Sequence, residues 1–148
     1  MMKQSVRYIR RLGVMVFVIL GLFSCEKSNG QSNEFTNIDV KEAYKMISED
    51  SSIVLIDVRT PGEYNGPLGH IKGAELKPVQ QIEQWSSQLD SVKDKKILLV
   101  CHSGNRSGFA SRYLQKKGFA HIYNIMGGML AWNRAGLPVE KEAAGEKK

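Results

Sequence analysis

The sequence predicts a three-layer α/β fold in which a central, mainly parallel β-sheet is flanked by helices. Short apolar segments rich in β-branched residues, at 53–58 and 97–100, alternate along the chain with segments of helical periodicity. The strand segments are apolar at nearly every position, which is typical of strands buried on both faces of a parallel sheet. The length of 148 residues fits one such domain.

The N-terminal part of the domain is predicted to form a helix and then a strand. Residues 39–48 carry apolar side chains at the spacing of one helix face. Asp39, with Glu42 three residues later, is a typical pair at a helix N-terminus. Residues 53–58 follow as a strand, which the Thr-Pro-Gly sequence at 60–62 stops.

The middle part repeats this order. An amphipathic helix is predicted from four apolar residues at helical spacing, namely Val79, Ile82, Trp85 and Leu89. A charged turn at 93–96 leads into the second buried strand at 97–100. Residues 107–117 then form a helix, which Gly118 is expected to end as its C-cap.

The last part adds a third strand at 121–125 and a short helix at 129–134. The charged residues 140–148 are expected to form a frayed tail. In parallel sheets of this kind, ligands bind at the carboxyl ends of the strands. Cys101 stands directly after the strand 97–100, so the sequence places its side chain at that edge.

Residues 1–24 have the organisation of a secretory signal peptide. Basic residues precede an apolar run of 12 residues, whereas a bilayer-spanning helix needs roughly 20. The run ends in Leu-Phe-Ser-Cys at 22–25, which resembles the lipobox of bacterial lipoproteins. That resemblance implies that Cys25 is lipidated, and that an exported protein is anchored to a bacterial membrane, facing the periplasm. An uncleaved signal anchor and a cleaved signal that releases a soluble product remain open.

The predicted organisation is a signal peptide at 1–24, a flexible tether at 25–34, one domain at 35–139 and a charged tail at 140–148. The net charge of +6 is concentrated in the leader, since four of the 21 basic residues and none of the 15 acidic residues precede Cys25. The rest of the chain carries a net charge of +2. This balance argues against a nucleic-acid partner.

The loop after the second buried strand carries the chemistry. Its residues are small or polar, apart from one arginine and one histidine: Cys101, His102, Ser103, Gly104, Asn105, Arg106 and Ser107. Such a loop can curl so that its N–H groups point at one spot, towards which the next helix directs the positive end of its dipole. Both effects lower the pKa of a thiol, so we expect an exposed, nucleophilic Cys101.

Three motifs in this order resemble the signatures of the rhodanese family of sulfurtransferases. Cys-x-x-Gly-x-Arg-Ser at 101–107 is similar to the family's active-site loop. Residues 56–64 together with 69–74 resemble its upstream signature, and residues 127–139 resemble its C-terminal signature. The resemblance covers nearly all of the chain after the leader, and it implies the rhodanese-like version of the predicted fold.

The resemblance also implies an activity and its partners. Cys101 would take a sulfane sulfur from a donor, hold it as a persulfide against the loop amides, and pass it to an acceptor. The donor would be a small sulfur-containing anion such as thiosulfate, or a persulfide; the acceptor would be cyanide, a small thiol or a protein thiol. No cofactor is implied, and no metal-ligand spacing links the three histidines, His70, His102 and His121.

The neighbours of Cys101 have less specific roles. Arg106 either binds an anionic donor or shapes the loop by pairing with a carboxylate, and both alternatives remain open. A structural charge network behind the loop is the preferred interpretation of three upstream residues, Asp57, Arg59 and Glu63.

Backbone roles are expected within and beneath the loop. Ser103, Gly104 and Asn105 are expected to supply amides and tolerance of positive φ. His102 is interpreted as an exposed residue without an acid or base role. The Gly-Gly pair at 127–128 is expected to allow close backbone packing under the loop.

Two other functions remain open at this stage. Cysteine phosphatases and arsenate reductases also bracket an anion-binding loop with a cysteine and an arginine, but in the pattern Cys-x5-Arg. Four residues separate Cys101 from Arg106, and the narrower loop favours a single sulfur atom over a tetrahedral oxyanion. A non-catalytic rhodanese module that docks a partner would not need a reactive Cys101.

Overall fold

A computed structural model of the protein describes residues 34–141. The signal peptide predicted at 1–24, and with it Cys25, lies outside the described residues, as do nearly all of the tether and the tail beyond residue 141. No helix within the described part of the chain is both long enough and apolar enough to cross a membrane.

Five strands of the described chain form one sheet. They are β1 (Thr36–Ile38), β2 (Val54–Asp57), β3 (Glu75–Leu76), β4 (Lys96–Val100) and β5 (His121–Ile125). Their order across the sheet is β1-β5-β4-β2-β3, and every neighbouring pair is parallel. The sheet is therefore wholly parallel, with β4 at its centre, and all five strands end at one edge.

Helices connect the parallel strands and cover both faces of the sheet. The α-helices are α1 (Val40–Glu49), α2 (Pro61–Tyr64), α3 (Ile82–Ser86), α4 (Asn105–Lys116) and α5 (Gly128–Arg134). Two 3-10 segments, Val79–Gln81 and Ser87–Val92, flank α3. Asp39 caps α1 as predicted, because its carboxylate accepts the N–H groups of Lys41 at 2.8 Å and Glu42 at 2.9 Å.

The central strand divides the core into two clusters. Alternate residues of β4 face opposite sides, with Ile97 and Leu99 packed on the side of α3 and α4. Leu98 and Val100 pack on the side of α1 and α5, where Trp132 is fully buried. After the exposed Lys96, every residue of β4 is apolar and buried, as a sheet covered on both faces requires, so the predicted fold class is confirmed.

Most of the predicted elements are confirmed. The three predicted strands are β2, β4 and β5, and three of the four predicted helices are α1, α4 and α5, with bounds that differ by at most two residues. Three short elements are not predicted from the sequence, namely β1, α2 and β3, which have three, four and two residues. Residue 140, the first of the predicted frayed tail, is instead paired with His70 through two backbone hydrogen bonds of 2.8 and 2.9 Å.

The single helix predicted from residue 79 to residue 89 is wrong. The chain forms only one short α-helix there, between the two 3-10 segments. Val79, Ile82 and Trp85 lie three residues apart, a spacing that places side chains on one face of a 3-10 helix as well as of an α-helix. Two serine hydroxyls also bond to carbonyls three residues back, Ser86 to Glu83 and Ser87 to Gln84.

Candidate active site

The loop at residues 101–104 leads from the central strand β4 into α4, at the carboxyl edge of the sheet. Gly104 is the N-cap of α4 and has a φ of +101°, a left-handed conformation that side chains disfavour. A Cβ at this position would also lie 3.2 Å from the backbone nitrogen of Gly127. The expectation of positive φ in the loop is therefore confirmed at Gly104 and wrong at Ser103 and Asn105, neither of which has a positive φ.

The N-terminus of α5 lies beneath this loop. Its N–H groups bind the loop carbonyls, with Met129 donating to Cys101 at 2.8 Å and Leu130 donating to His102 at 3.0 Å. A Cβ on Gly128 would clash with these same carbonyl groups. The predicted close packing of the Gly-Gly pair is confirmed. It turns the carbonyls at the start of the loop towards α5, while amides further along the loop face the sulfur.

The sulfur of Cys101 accepts a hydrogen bond from the N–H of Gly104 at 3.1 Å and a longer one from the hydroxyl of Ser107 at 3.4 Å, which also lies 3.1 Å from the carbonyl of Gly104. Burial alone would raise the pKa of the thiol. The Ser107 hydroxyl and the N–H groups of Ser107, Gly104 and Ser103 outweigh burial, so the pKa of Cys101 lies below its ordinary value. These contacts favour the thiolate, which is the nucleophilic form of cysteine.

The expectation that Cys101 is exposed is wrong. The residue exposes 1% of its surface, because it belongs to the apolar cluster between the sheet and helices α3 and α4. The sulfur nevertheless receives the loop hydrogen bonds described above. A small reactant therefore has to enter the loop to reach it.

Arg106 in the first turn of α4 forms an ion pair with Glu63 on α2. Both of its terminal nitrogens donate to the carboxylate, Nη1 to Oε2 at 2.7 Å and Nη2 to Oε1 at 2.6 Å. This hydrogen bonding, with a smaller contribution from the N–H and hydroxyl of Thr60, lowers the pKa of Glu63 to about 2 despite its partial burial. Of the two roles left open for Arg106, the structure contains the pairing with a carboxylate.

Behind this pair lies the fully buried ion pair of Asp57 and Arg59. Arg59 donates to the Asp57 carboxylate through Nε at 2.9 Å and Nη2 at 2.7 Å. Its other hydrogen bonds reach the carbonyls of Glu63 at 3.0 Å and Gly69 at 2.7 Å. Arg59 thus ties the end of β2 to α2 and to the following loop, which fits the interpretation of a structural charge network.

A comparison with known protein families agrees with this architecture. Residues 39–135 match the family described as the rhodanese-like domain. The chain belongs to the rhodanese family. The three motifs that resemble the rhodanese signatures lie in or beside the matched segment, and the structure places the active-site loop among them at the carboxyl edge of the sheet.

Relatives of this rhodanese chain include sulfurtransferases. It is 35% identical over 108 residues to thiosulfate sulfurtransferase GlpE of Vibrio cholerae, a match that covers 73% of this chain and 97% of that protein. It is also 35% identical over 111 residues to an uncharacterized Synechocystis protein, covering 74% of this chain and 60% of that protein. The solved polysulfide-sulfur transferase homodimer of Wolinella succinogenes superimposes with a TM-score of 0.64 at 29% identity, covering 76% of this chain and 82% of that one.

The remaining residues of the rhodanese loop lie around this arrangement. His102 has a side chain that is 43% exposed, and its Nδ1 lies 3.8 Å from Oε1 of Glu63. The N–H of Ser103 helps to lower the pKa of Cys101, whereas Asn105 begins α4 without a side-chain cap. Further from the loop, the ring of His70 stacks on that of Tyr64, with the ring centroids 3.8 Å apart.

Two contributors to the rhodanese site are not predictable from the motifs of the sequence. One is the Ser107 hydroxyl on the sulfur, and the other is the anchoring of the loop by the N–H groups of α5.

The capping box that Thr60 forms with Glu63 has a recognisable pattern, Thr-x-x-Glu, directly after the β2 strand. That pattern would have placed Glu63 at the N-terminus of a short helix.

Replacing Ser107 with alanine is expected to raise the pKa of Cys101. The hydroxyl that bonds to the sulfur is the largest of the contributions that stabilise its thiolate. The measurement is the rate of alkylation by iodoacetamide as a function of pH, in which the midpoint moves to higher pH in the variant. Ser111→Ala is the matched control, because Ser111 is also buried on α4 but its hydroxyl has no partner in the described residues. Equal midpoints for wild type and Ser107→Ala would contradict the role given to this hydroxyl.

Proposed function

We propose that this rhodanese chain is a sulfurtransferase that carries sulfane sulfur as a persulfide on Cys101. The observation that supports the proposal is the convergence of the Gly104 N–H and the Ser107 hydroxyl on one sulfur atom, at 3.1 and 3.4 Å. Hydrogen-bond donors fixed in this way stabilise negative charge without having to reorganise during the reaction. The names of the Vibrio and Wolinella relatives, a thiosulfate and a polysulfide sulfur transferase, agree with this chemistry.

The first half of the reaction loads the enzyme. The thiolate of Cys101 attacks the outer, sulfane sulfur of a donor such as thiosulfate and forms a new S–S bond. The S–S bond within the donor breaks, and sulfite leaves with the electron pair. The negative terminal sulfur of the persulfide then lies among the N–H groups of the loop, in the role given to oxyanion-type donors.

The second half unloads it. A thiophilic acceptor, such as cyanide, a small thiol or a protein thiol, attacks the terminal sulfur of the persulfide. The S–S bond to Cys101 breaks, and its electron pair restores the thiolate; with cyanide, the product is thiocyanate. The two half-reactions balance without a further oxidant or reductant, and no cofactor takes part in either.

Loading of the full chain tests the proposal. The chain, purified in mild detergent, is incubated with thiosulfate and weighed by mass spectrometry under non-reducing conditions. We expect a gain of one sulfur atom per chain, which cyanide removes as thiocyanate. An unchanged mass with thiosulfate, polysulfide and a small persulfide alike would contradict the proposal.

A non-catalytic docking module is the second candidate function. The observation that favours it is the burial of Cys101, of which 1% is exposed. The hydrogen bonds to the sulfur count against it, since a docking role needs no stabilised thiolate. A Cys101 that neither alkylates nor takes up sulfur would support the docking role.

A phosphatase function has less support. Arg106, which would have to bind a phosphoryl oxyanion, directs both terminal nitrogens to Glu63. The loop between Cys101 and Arg106 is also one residue shorter than the phosphatase pattern Cys-x5-Arg.

We also propose that the chain is a bacterial lipoprotein that is exported and anchored through Cys25, facing the periplasm. This proposal rests on the leader sequence alone, with its basic start, short apolar run and terminal Leu-Phe-Ser-Cys. Labelling cells with a palmitate analogue should mark the wild-type chain and leave Cys25→Ala unlabelled. Equal labelling of the two chains would contradict the anchor.

A further inference from the structure

One carboxylate lies beside the loop that holds Cys101. Glu63 engages both terminal nitrogens of Arg106 at 2.6 and 2.7 Å and lies 3.8 Å from Nδ1 of His102. Within the described residues, the charged guanidinium of Arg106 is therefore paired with a fixed carboxylate, that of Glu63. Electrostatically, the pair adds almost no net charge to the entrance of the loop.

The position of this carboxylate is held from two sides. The N–H and hydroxyl of Thr60 donate to Oε2 of Glu63 at 3.2 and 3.0 Å. Arg59, fully buried and paired with Asp57, donates to the backbone carbonyl of Glu63 at 3.0 Å. Because these contacts are made without Arg106, the carboxylate stays in place when a reactant approaches, and a competing anion has to break a bidentate ion pair.

The charge state of the pair is constant at physiological pH. The hydrogen bonds from Arg106 lower the pKa of Glu63 to about 2, so that its side chain is a carboxylate throughout the physiological range. The pKa of Arg106 is raised, mainly by Glu63 and in smaller part by the negative charge at Cys101.

We propose that Glu63 determines donor selectivity: by neutralising Arg106 it disfavours dianionic donors such as thiosulfate and favours alkyl persulfides, R–S–SH. The inference rests on the proposed sulfurtransferase function and names the donor class of the same site. A dianion gains most from a free cation and loses most next to a fixed carboxylate, whereas a persulfide group, which carries at most one negative charge, responds less to both. The loop amides suffice to hold the single negative sulfur that either donor leaves behind.

The loading step with a persulfide balances as it does with thiosulfate. The Cys101 thiolate attacks the terminal sulfur of R–S–SH and forms the new S–S bond. The S–S bond of the donor breaks, R–S⁻ leaves with the electron pair, and the proton stays on the transferred sulfur until the loop N–H groups favour its loss. No further reactant is required.

Second-order rate constants for loading test the inference. The full chain in mild detergent is mixed with thiosulfate or with cysteine persulfide, and the gain of sulfur on Cys101 is followed by mass spectrometry. Glu63→Gln keeps the length of the side chain and a residue type that suits the capping box. We expect this change to raise the thiosulfate rate constant about tenfold and to change the persulfide rate constant less than about threefold.

The reverse change gives an independent sign. Arg106→Gln leaves Glu63 charged and unpaired, and should lower the thiosulfate rate constant more than the persulfide one. A general disturbance of the loop would instead slow both donors in both variants. Glu49→Gln is the matched control, since it also removes one exposed acid, from the end of α1. Glu49 is next to Asp50, which pairs with the first residue of β4, so this site lies at the edge of the sheet opposite the active-site loop.

The failures can be told apart. Loading by both donors at a ratio that Glu63→Gln does not change would overturn the inference and leave the proposed function standing. No loading by any donor would overturn both. A cysteine of another protein can carry the same persulfide group. A further arm of the experiment therefore supplies the group on a purified single-cysteine protein. Loading from both carriers supports selection of the group itself, and loading from the small one alone identifies a low-molecular-weight donor.

Discussion

Replacing Cys101 with serine is expected to abolish sulfur transfer. A serine hydroxyl fits the same space and can accept the hydrogen bonds from Gly104 and Ser107, but its oxygen cannot form the S–S bond of a persulfide. Removing a covalent nucleophile typically costs on the order of 10³-fold or more in rate. The measurements are the mass gain after exposure to a sulfur donor and the rate of thiocyanate formation with cyanide, both of which should fall to background.

The chain contains its own control for this experiment. Cys25 is the other of the two cysteines, so Cys25→Ser should still take up one sulfur that cyanide removes. The thermal midpoint of Cys101→Ser should stay close to that of the wild type, since the replacement is nearly isosteric and its hydroxyl has hydrogen-bond partners. Cyanide-removable sulfur on Cys101→Ser would place the chemistry on another group and refute the proposed mechanism.

Two physical reasons explain what the sequence revealed of this site. The identity of the loop could be predicted because it follows the central strand without interruption and because its residue types suit an anion cradle. The burial of Cys101 could not, because it depends on packing in a cluster with residues far away in the chain, among them Ile56 and Ile122. The pairing of Arg106 with Glu63, 43 residues away, is a tertiary contact of the same kind.

The fold was predictable to a similar degree. Strands β2 and β4 are apolar at nearly every position, because they lie inside a sheet covered on both faces, and their sequences are distinctive. The edge strand β1 buries only Ile38 of its three residues, and β3 has two residues, neither of which is buried. Such strands exist because a neighbour pairs with them, so their own sequences carry little signal.

Replacing Arg59 with methionine is expected to cause the largest loss of stability of any single change discussed here. Arg59 and Asp57 are both fully buried, and the guanidinium also satisfies two carbonyls, those of Glu63 and Gly69. Methionine fills most of the space but leaves the Asp57 carboxylate buried without its countercharge, although it still accepts the backbone N–H of residue 59 at 3.0 Å. Breaking a buried ion pair in this way typically costs about 3–5 kcal/mol. The free energy of unfolding, measured by urea denaturation of the full chain, should fall by about this amount.

The penalty belongs to the unpaired charge, and a double-mutant cycle separates it from lost packing. Asp57→Leu combined with Arg59→Met should recover part of the loss, because no buried charge remains. The free energy of unfolding of Arg59→Lys should stay below that of the wild type, since an ammonium group cannot reproduce the planar fork that reaches Asp57 and both carbonyls. Lys45→Met, which removes one partner of the exposed pair with Glu49, should change the free energy of unfolding by less than about 1 kcal/mol. If Arg59→Met behaved like this surface control, Arg59 could not be what holds Glu63 against the active-site loop.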